Sequence, residues 1–278
     1  MRVLVAGASG QLAYAVRRTW LDHELFLPEE SVLDLSTREA IFSVVKAVRP
    51  QVLINCAAYT QVDRCESEGD LAHLINATAV GWLAEACEAQ GALLVQISTD
   101  YVFDGMGTRP YREDDPTDPV SVYGRTKLAG EQQAARCSRH LIARTSWLYD
   151  AWGKNFLNTM VNAANQGRAL RVVADQRGAP TTCRALARQL KVAAEEGWQG
   201  LVHATCQGET TWHGFAQAIF EAKGMAVDLS PCTTADYPTP ATRPAYSVLD
   251  GSRRATLGTD LIPDWRDALQ DVVDQPDL

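Results

Sequence analysis

The chain has 278 residues, 46% hydrophobic and 22% charged, which fits a soluble α/β protein of one to one and a half domains and excludes a disordered or fibrous chain. A formal net charge of −8 argues against general affinity for nucleic acid or anionic membrane, while leaving room for an anionic small substrate met by local Arg and Lys. Seven scattered cysteines without a C-x-x-C pair, and five histidines without H-E-x-x-H spacing, read as free thiols in a reducing cytosol and no metal centre.

Short apolar runs alternate with helical patterns along the first half. Residues 2–6 read as a buried strand, 11–21 as a helix and 24–27 as a second strand. Ser36-Thr37-Arg38-Glu39 has the spacing of a capping box, opening a helix that ends near Val48 and is closed by Pro50. Residues 52–56 are a third strand, 70–89 a long helix, 93–98 a strand, 121–136 a helix and 141–145 a strand. Continuously apolar strands between amphipathic helices imply a parallel sheet covered on both faces. Its crossovers are right-handed, so a doubly wound α/β sheet follows. Beyond residue 148 the order loosens: 155–166, 184–196 and 214–223 look helical, 171–173 a strand, and the Pro/Thr-rich stretch 231–244 an extended loop. No charged leader with an apolar core opens the chain, and no stretch approaches the ~20 apolar residues of a membrane span, so a cytoplasmic protein is expected.

Gly7-Ala8-Ser9-Gly10-Gln11-Leu12-Ala13 follows the first strand and fits G-x-x-G-x-x-G with Ala at the last place. Gly7 permits the tight turn, and Gly10 lets backbone approach a pyrophosphate at a helix N-terminus. An acid after the second strand usually holds the adenosine ribose. Glu29 is the nearest, or a solvated loop acid; Asp34 could sit by the adenine, or serve as a helix-entry residue. NADPH and NADH therefore both stay open. The small residues of Cys56-Ala57-Ala58-Tyr59 leave room for a dinucleotide, and Asn76 could orient a water or a backbone group near a lysine.

Tyr123 and Lys127 lie four apart in one helix and so share a face. An ammonium there can draw a phenol's pKa toward neutrality, and such a phenol can protonate a carbonyl oxygen. Ser98 and Thr99 end the preceding strand, where a hydroxyl can donate to the same oxygen. Trp147 could wall a substrate site, and Arg243, in a rigid Pro-rich loop, could clamp a phosphate.

These runs resemble the extended short-chain dehydrogenase/reductases and, among them, the dTDP-4-dehydrorhamnose reductase group. The resemblance is carried by residues 55–63, 98–105, 122–131, 144–149, 153–156, 175–181 and 238–244, nearly the length of the chain. It implies a Rossmann-like sheet with a smaller C-terminal substrate-binding lobe: residues 1–150 for the dinucleotide, part of 170–205 returning to them, and 151–278 mostly for substrate. It also implies roles. Tyr123 is the proton donor, Lys127 its partner and ribose anchor, and Thr99 binds the substrate carbonyl. Asp100 and Trp147 touch the sugar nucleotide, and Arg243 its diphosphate. Gly10, Gln11 and Leu12 face the cofactor pyrophosphate; Asp34, Leu35, Ala57, Ala58 and Tyr59 face its adenosine half. The implied reaction is NAD(P)H-dependent reduction of the C4 ketone of dTDP-4-dehydro-β-L-rhamnose, feeding cell-envelope polysaccharide. The rivals are another dTDP-4-keto-6-deoxyhexose as substrate, or a non-catalytic dinucleotide-binding regulatory subunit. Such a subunit would be marked by loss of the Tyr or Lys, and both are present. The partners expected are a dTDP-4-keto-6-deoxy sugar and a second copy in a homodimer, with neither nucleic acid nor membrane. Ala13 and the Pro28-Glu29 pair depart from the group's pattern, which bears on cofactor choice more than on chemistry.

Overall fold

Successive side chains of a strand point to opposite faces. Val3, Val5, Val52, Ile54, Leu93, Val95, Ile97, Leu141 and Ala143 enter one core cluster, while Leu4, Ala6, Leu53, Leu94 and Ile142 enter another. Both faces of these strands are therefore buried, which is why they read as unbroken apolar runs.

The computed structural model describes residues 1–275. It opens with β1 (Arg2–Ala6), α1 (Gln11–Thr19), β2 (Glu24–Phe26), α2 (Arg38–Val48) and β3 (Val52–Asn55). Then come α3 (Val62–Cys65), α4 (Gly69–His73), a π-helical turn (Leu74–Thr78) and α5 (Ala79–Gln90). They lead to β4 (Leu93–Thr99), α6 (Val122–Ala134), β5 (His140–Thr145) and β6 (Leu148–Tyr149). Next are α7 (Phe156–Asn165), β7 (Leu170–Val173), β8 (Arg177–Gly178), β9 (Thr181–Thr182), α8 (Cys183–Glu195) and β10 (Gly200–His203). Last are β11 (Thr210–Thr211), α9 (Trp212–Ala222), β12 (Leu229–Cys232), α10 (Arg254–Leu257) and α11 (Trp265–Asp274).

Six strands form one parallel sheet in the order β10-β5-β4-β3-β1-β2. Helices α1 and α8 cover one face, and α2, α5 and α6 the other. The fold is thus a Rossmann-like, doubly wound α/β sheet. Chain direction across the sheet reverses between β1 and β3, and such a reversal opens a crevice at the carboxyl ends of the strands. Three two-stranded pairs, β8 with β11, β7 with β12 and β6 with β9, lie outside the main sheet. Among the described residues no helix is long and apolar enough to cross a membrane.

Several expectations are corrected. β10 was not expected; its four residues pair in parallel with β5 as the sheet's edge. The capping box at Ser36 does not form: Asp34 Oδ1 accepts the Ser36 amide at 2.8 Å, and the helix starts after Thr37, which makes no side-chain cap bond. The stretch 231–244 is not wholly loop. Pro231 lies in β12, which has one hydrogen-bonding neighbour only, a place where a missing N–H is tolerated. The expected helix 70–89 is interrupted by the π turn, where Asn76 turns its side chain onto the loop after β3.

Close approach of α6 to that π turn depends on Gly130, where an ideal Cβ would stand 2.1 Å from the Asn76 carbonyl oxygen. Alanine is the better helix former by about 1 kcal/mol. Gly130→Ala is nevertheless expected to destabilise the protein by about 2 kcal/mol, because two backbones must part. Urea midpoints compare the two proteins; an unchanged or raised midpoint would mean the helices separate freely.

Candidate active site

Gly7 ends β1 with a φ of +78°, a left-handed conformation that glycine adopts without cost. It also lets two turns meet, since a Cβ there would lie 2.8 Å from the Ala57 backbone. Gly10 precedes α1 and its amide donates to Gly7 O at 2.9 Å. The first intrahelical bond is Tyr14 N to Gly10 O, so the amides of Gln11, Leu12 and Ala13 have no helical acceptor. The first turn carries no acid and the last carries Arg17 and Arg18, so the helix end is open to an anion. This cradle fits the pyrophosphate of a dinucleotide. Ala13 is fully buried in packing, and Leu12 is also buried, leaving only its amide for a ligand. The Gln11 side chain is committed elsewhere. Its Nε2 donates to Leu148 O at 3.1 Å, and its Oε1 accepts from Asn155 Nδ2 at 3.3 Å.

Glu29 is exposed beyond β2, and its carbonyl accepts the amides of Val32 and Leu33. The Asp34 carboxyl is held below its usual range by hydrogen bonds from Ser36, the geometry of a helix-entry residue. Leu35 is buried in the core. Of the roles open to Asn76, the structure gives it a backbone clamp. Its Oδ1 accepts Tyr59 N at 2.8 Å, and its Nδ2 donates to Tyr59 O and to Thr126 Oγ1, both at 3.1 Å. The loop bearing Ala57, Ala58 and Tyr59 is thereby fixed beside Gly7. The Tyr59 hydroxyl donates to Glu68.

Thr99 closes β4, and α6, bearing Tyr123 and Lys127, packs against that strand. Ser121 caps α6, its Oγ accepting Gly124 N at 3.1 Å. Gly124 must lack a side chain, because a Cβ would lie 2.2 Å from Tyr101 O. Lys127 is buried and its Nζ donates to Ile97 O at 2.7 Å. Burial lowers its pKa to about 8, with Glu131 opposing. Tyr123 meets Tyr101 edge-on, with ring centroids 5.7 Å apart. Burial pushes its phenol pKa up, against a hydrogen bond with Thr99 that lowers it. The expectation of a phenol drawn toward neutrality by Lys127 is therefore corrected: desolvation wins. A phenol that keeps its proton is suited to giving it to a ketone oxygen rather than taking one from an alcohol.

Behind this trio lies a buried ion pair the sequence did not announce. Glu131 accepts from Arg144 Nε and Nη2, both at 2.8 Å, and from Ser98 Oγ at 2.5 Å. Ser98 thus faces the pair, and only Thr99 of the two strand-end hydroxyls is left for a substrate. His203 Nε2 lies 3.4 Å from Arg144 Nη1, and burial with the Arg144 charge pushes that imidazole down to about 3, so it stays neutral.

Trp147 has a φ of +47°, an outlier for a bulky residue and a mark of locally stored strain. It stacks on Trp212 at 3.6 Å and 8°, and a Cβ on Gly178 would come within 2.6 Å of its ring. Trp212 carried no recognisable signal in the sequence. Arg243 forms a two-pronged ion pair with Asp63, Nη1 to Oδ1 at 3.0 Å and Nη2 to Oδ2 at 2.9 Å. Asp100 is turned inward, with both oxygens bonded to protein hydroxyls.

A Gly-rich turn at the switch point of a parallel sheet, with a Tyr/Lys helix beside a strand-end hydroxyl, defines a nicotinamide-dependent oxidoreductase of the short-chain dehydrogenase/reductase type. A sequence profile for the RmlD substrate binding domain matches residues 1–277, and the chain belongs to that family. It is 41% identical to a dTDP-4-dehydrorhamnose reductase of Burkholderia thailandensis, over 97% of each chain. It superposes on the crystal structure of a dTDP-4-dehydrorhamnose reductase from Clostridium acetobutylicum with a TM-score of 0.96, 39% identity and full coverage of both chains. A Bacillus anthracis dTDP-4-dehydrorhamnose reductase, solved in complex with NADP, gives a TM-score of 0.96 at 34% identity over 99% of each chain.

Proposed function

We propose that this protein reduces the C4 ketone of dTDP-4-dehydro-β-L-rhamnose to the alcohol of dTDP-β-L-rhamnose, a precursor of cell-envelope polysaccharide. The observation that carries the reading is the packing of the Tyr123/Lys127 helix against β4, the strand that ends at Thr99. Bound NADPH or NADH supplies the hydride. Tyr123 gives its proton to the oxygen on C4, and Thr99 donates a hydrogen bond as charge develops there. Lys127 would hold the nicotinamide ribose and keep a positive charge below the site. Gly7, Gly10, Gln11 and Leu12 would receive the pyrophosphate through backbone. Glu29, Asp34, Leu35, Ala57, Ala58 and Tyr59 would border the adenosine. Trp147 would wall the sugar, and Arg243, aimed by Asp63, would meet the diphosphate. In this reading residues 1–150, with part of 170–205, hold the dinucleotide and most of 151–278 the sugar nucleotide, in a cytoplasmic homodimer.

The direct test follows nicotinamide absorbance as purified protein meets dTDP-4-dehydro-L-rhamnose made in situ, with NADH and NADPH in separate cuvettes. Oxidation with dTDP-L-rhamnose as product is expected. Protein that binds a dinucleotide yet oxidises neither would overturn the substrate assignment.

A pH dependence follows from the buried lysine. Its pKa is lowered to about 8, so the ammonium is intact below that pH and is lost as pH rises through it. The kcat/KM, which reports groups of the free enzyme, is expected to fall on the alkaline side with an apparent pKa near 8, whereas the raised phenol of Tyr123 titrates later. A profile flat to pH 10 would show that the charge of Lys127 is not needed.

A further inference from the structure

We propose that Ser247 is a positioning residue for Thr99, acting through Asp100, and that it leaves the Thr99 proton free to turn onto the reacting oxygen. The proposal rests on the reductase reading and deepens it.

Asp100 follows β4 directly and is 2% exposed. Its Oδ1 accepts from Thr99 Oγ1 at 2.9 Å, and its Oδ2 accepts from Ser247 Oγ at 2.5 Å. Ser247 is itself 2% exposed and lies 147 positions further along the chain. Its hydroxyl has one proton and two acceptors in reach, Asp100 at 2.5 Å and Arg177 O at 3.4 Å. The shorter, charge-assisted bond holds the proton.

The backbone around Ser247 is fixed from both sides. Ser247 N donates to Arg177 O at 2.9 Å, and Arg177 N to Ala245 O at 2.8 Å. Tyr246 N donates to Gly105 O at 3.1 Å, and Tyr111 N to Val248 O at 2.8 Å. The hydroxyl is therefore delivered to Asp100 by a segment tied both to β8 and to the loop that follows β4.

Thr99 also has a single proton. In the structure it points to Asp100, while Oγ1 accepts the Tyr101 amide at 3.2 Å. To stabilise charge on a substrate oxygen, that proton must leave Asp100. A buried carboxylate stripped of donors is costly, so Asp100 alone would keep it. Ser247 supplies a second donor that stays behind when Thr99 turns. Burial pushes the Asp100 carboxyl up to about 6, which leaves it mostly ionised at neutral pH and in need of that donor.

The test is a double-mutant cycle between Ser247→Ala and Thr99→Ala, with NADPH and dTDP-4-dehydrorhamnose. In the parent background Ser247→Ala is expected to lower kcat about 30-fold, within the range for losing one preorganised donor, with KM and dinucleotide affinity changed less than about threefold. In the Thr99→Ala background, which has no proton to free, Ser247→Ala is expected to change kcat by less than about twofold. Ser247→Thr, which keeps the hydroxyl, is expected to retain most of the rate. An equal loss in both backgrounds would mean a merely structural serine, and an unimpaired Ser247→Ala would remove it from the mechanism. An inactive parent protein would instead overturn the reductase reading, whereas a fully active Thr99→Ala would leave that reading standing and remove Thr99 from the mechanism; either takes this proposal with it.

Discussion

Tyr123→Phe is expected to lower kcat by about 1,000-fold, within the range that a positioned general acid contributes, while dinucleotide affinity stays within about twofold. The change removes one oxygen and keeps the ring. Phe preserves the edge-on contact with Tyr101 and leaves α6, its Ser121 cap and the buried Lys127 in place. What is lost is the proton that meets the new alkoxide. The phenol acts only as charge develops, so kcat and kcat/KM should fall together while KM holds. Single-turnover oxidation of NADPH measures the chemical step directly, and dinucleotide fluorescence measures binding. A variant within about tenfold of the parent rate would mean that another acid, water included, protonates the sugar, and would take Tyr123 out of the mechanism.

The dinucleotide half was legible because its signals are local. A strand buried on both faces announces itself as an apolar run, and Gly7, Gly10, Tyr123 and Lys127 lie within short motifs whose spacing fixes their geometry. The misreadings have equally local causes. Ser36 and Glu39 match a capping box, but Asp34, two residues earlier, takes the Ser36 amide first. The Tyr/Lys spacing suggested a phenol near neutrality because spacing carries no information about desolvation, which decides the sign at Tyr123. Pairs brought together only by folding were beyond reach. Asp100 with Ser247, Asp63 with Arg243 and Trp147 with Trp212 join positions far apart in the chain, and no single-sequence pattern links them. The same limit hid the partner of Glu131, which stands in the Tyr/Lys motif but finds Arg144 on the next strand.

That pair carries the largest expected effect on stability. Glu131→Ala is expected to cost about 3–5 kcal/mol, against the roughly 5–15 kcal/mol by which a domain is stable. Glu131 and Arg144 are 7% and 4% exposed at the side chain, so neither charge can be rescued by solvent. Removing Glu131 leaves the guanidinium buried with no carboxylate, and arginine cannot shed its proton. Its other neighbour, His203, is held neutral and can offer only a ring nitrogen. Removing Arg144 is expected to be milder, because Glu131 keeps the Ser98 hydroxyl as a donor. Replacing both by apolar residues of similar volume, Glu131→Leu with Arg144→Met, is expected to recover most of the loss, since no unpaired charge remains. Urea midpoints of the two single variants and the double variant give the comparison. Should the double variant fall by the sum of the singles, the pair would be stabilising through packing and not through mutual neutralisation. In the recovered protein the alkaline fall in turnover is expected at lower pH than in the parent. Lys127, which Glu131 helps to keep protonated, would lose its proton at lower pH once that carboxylate is gone.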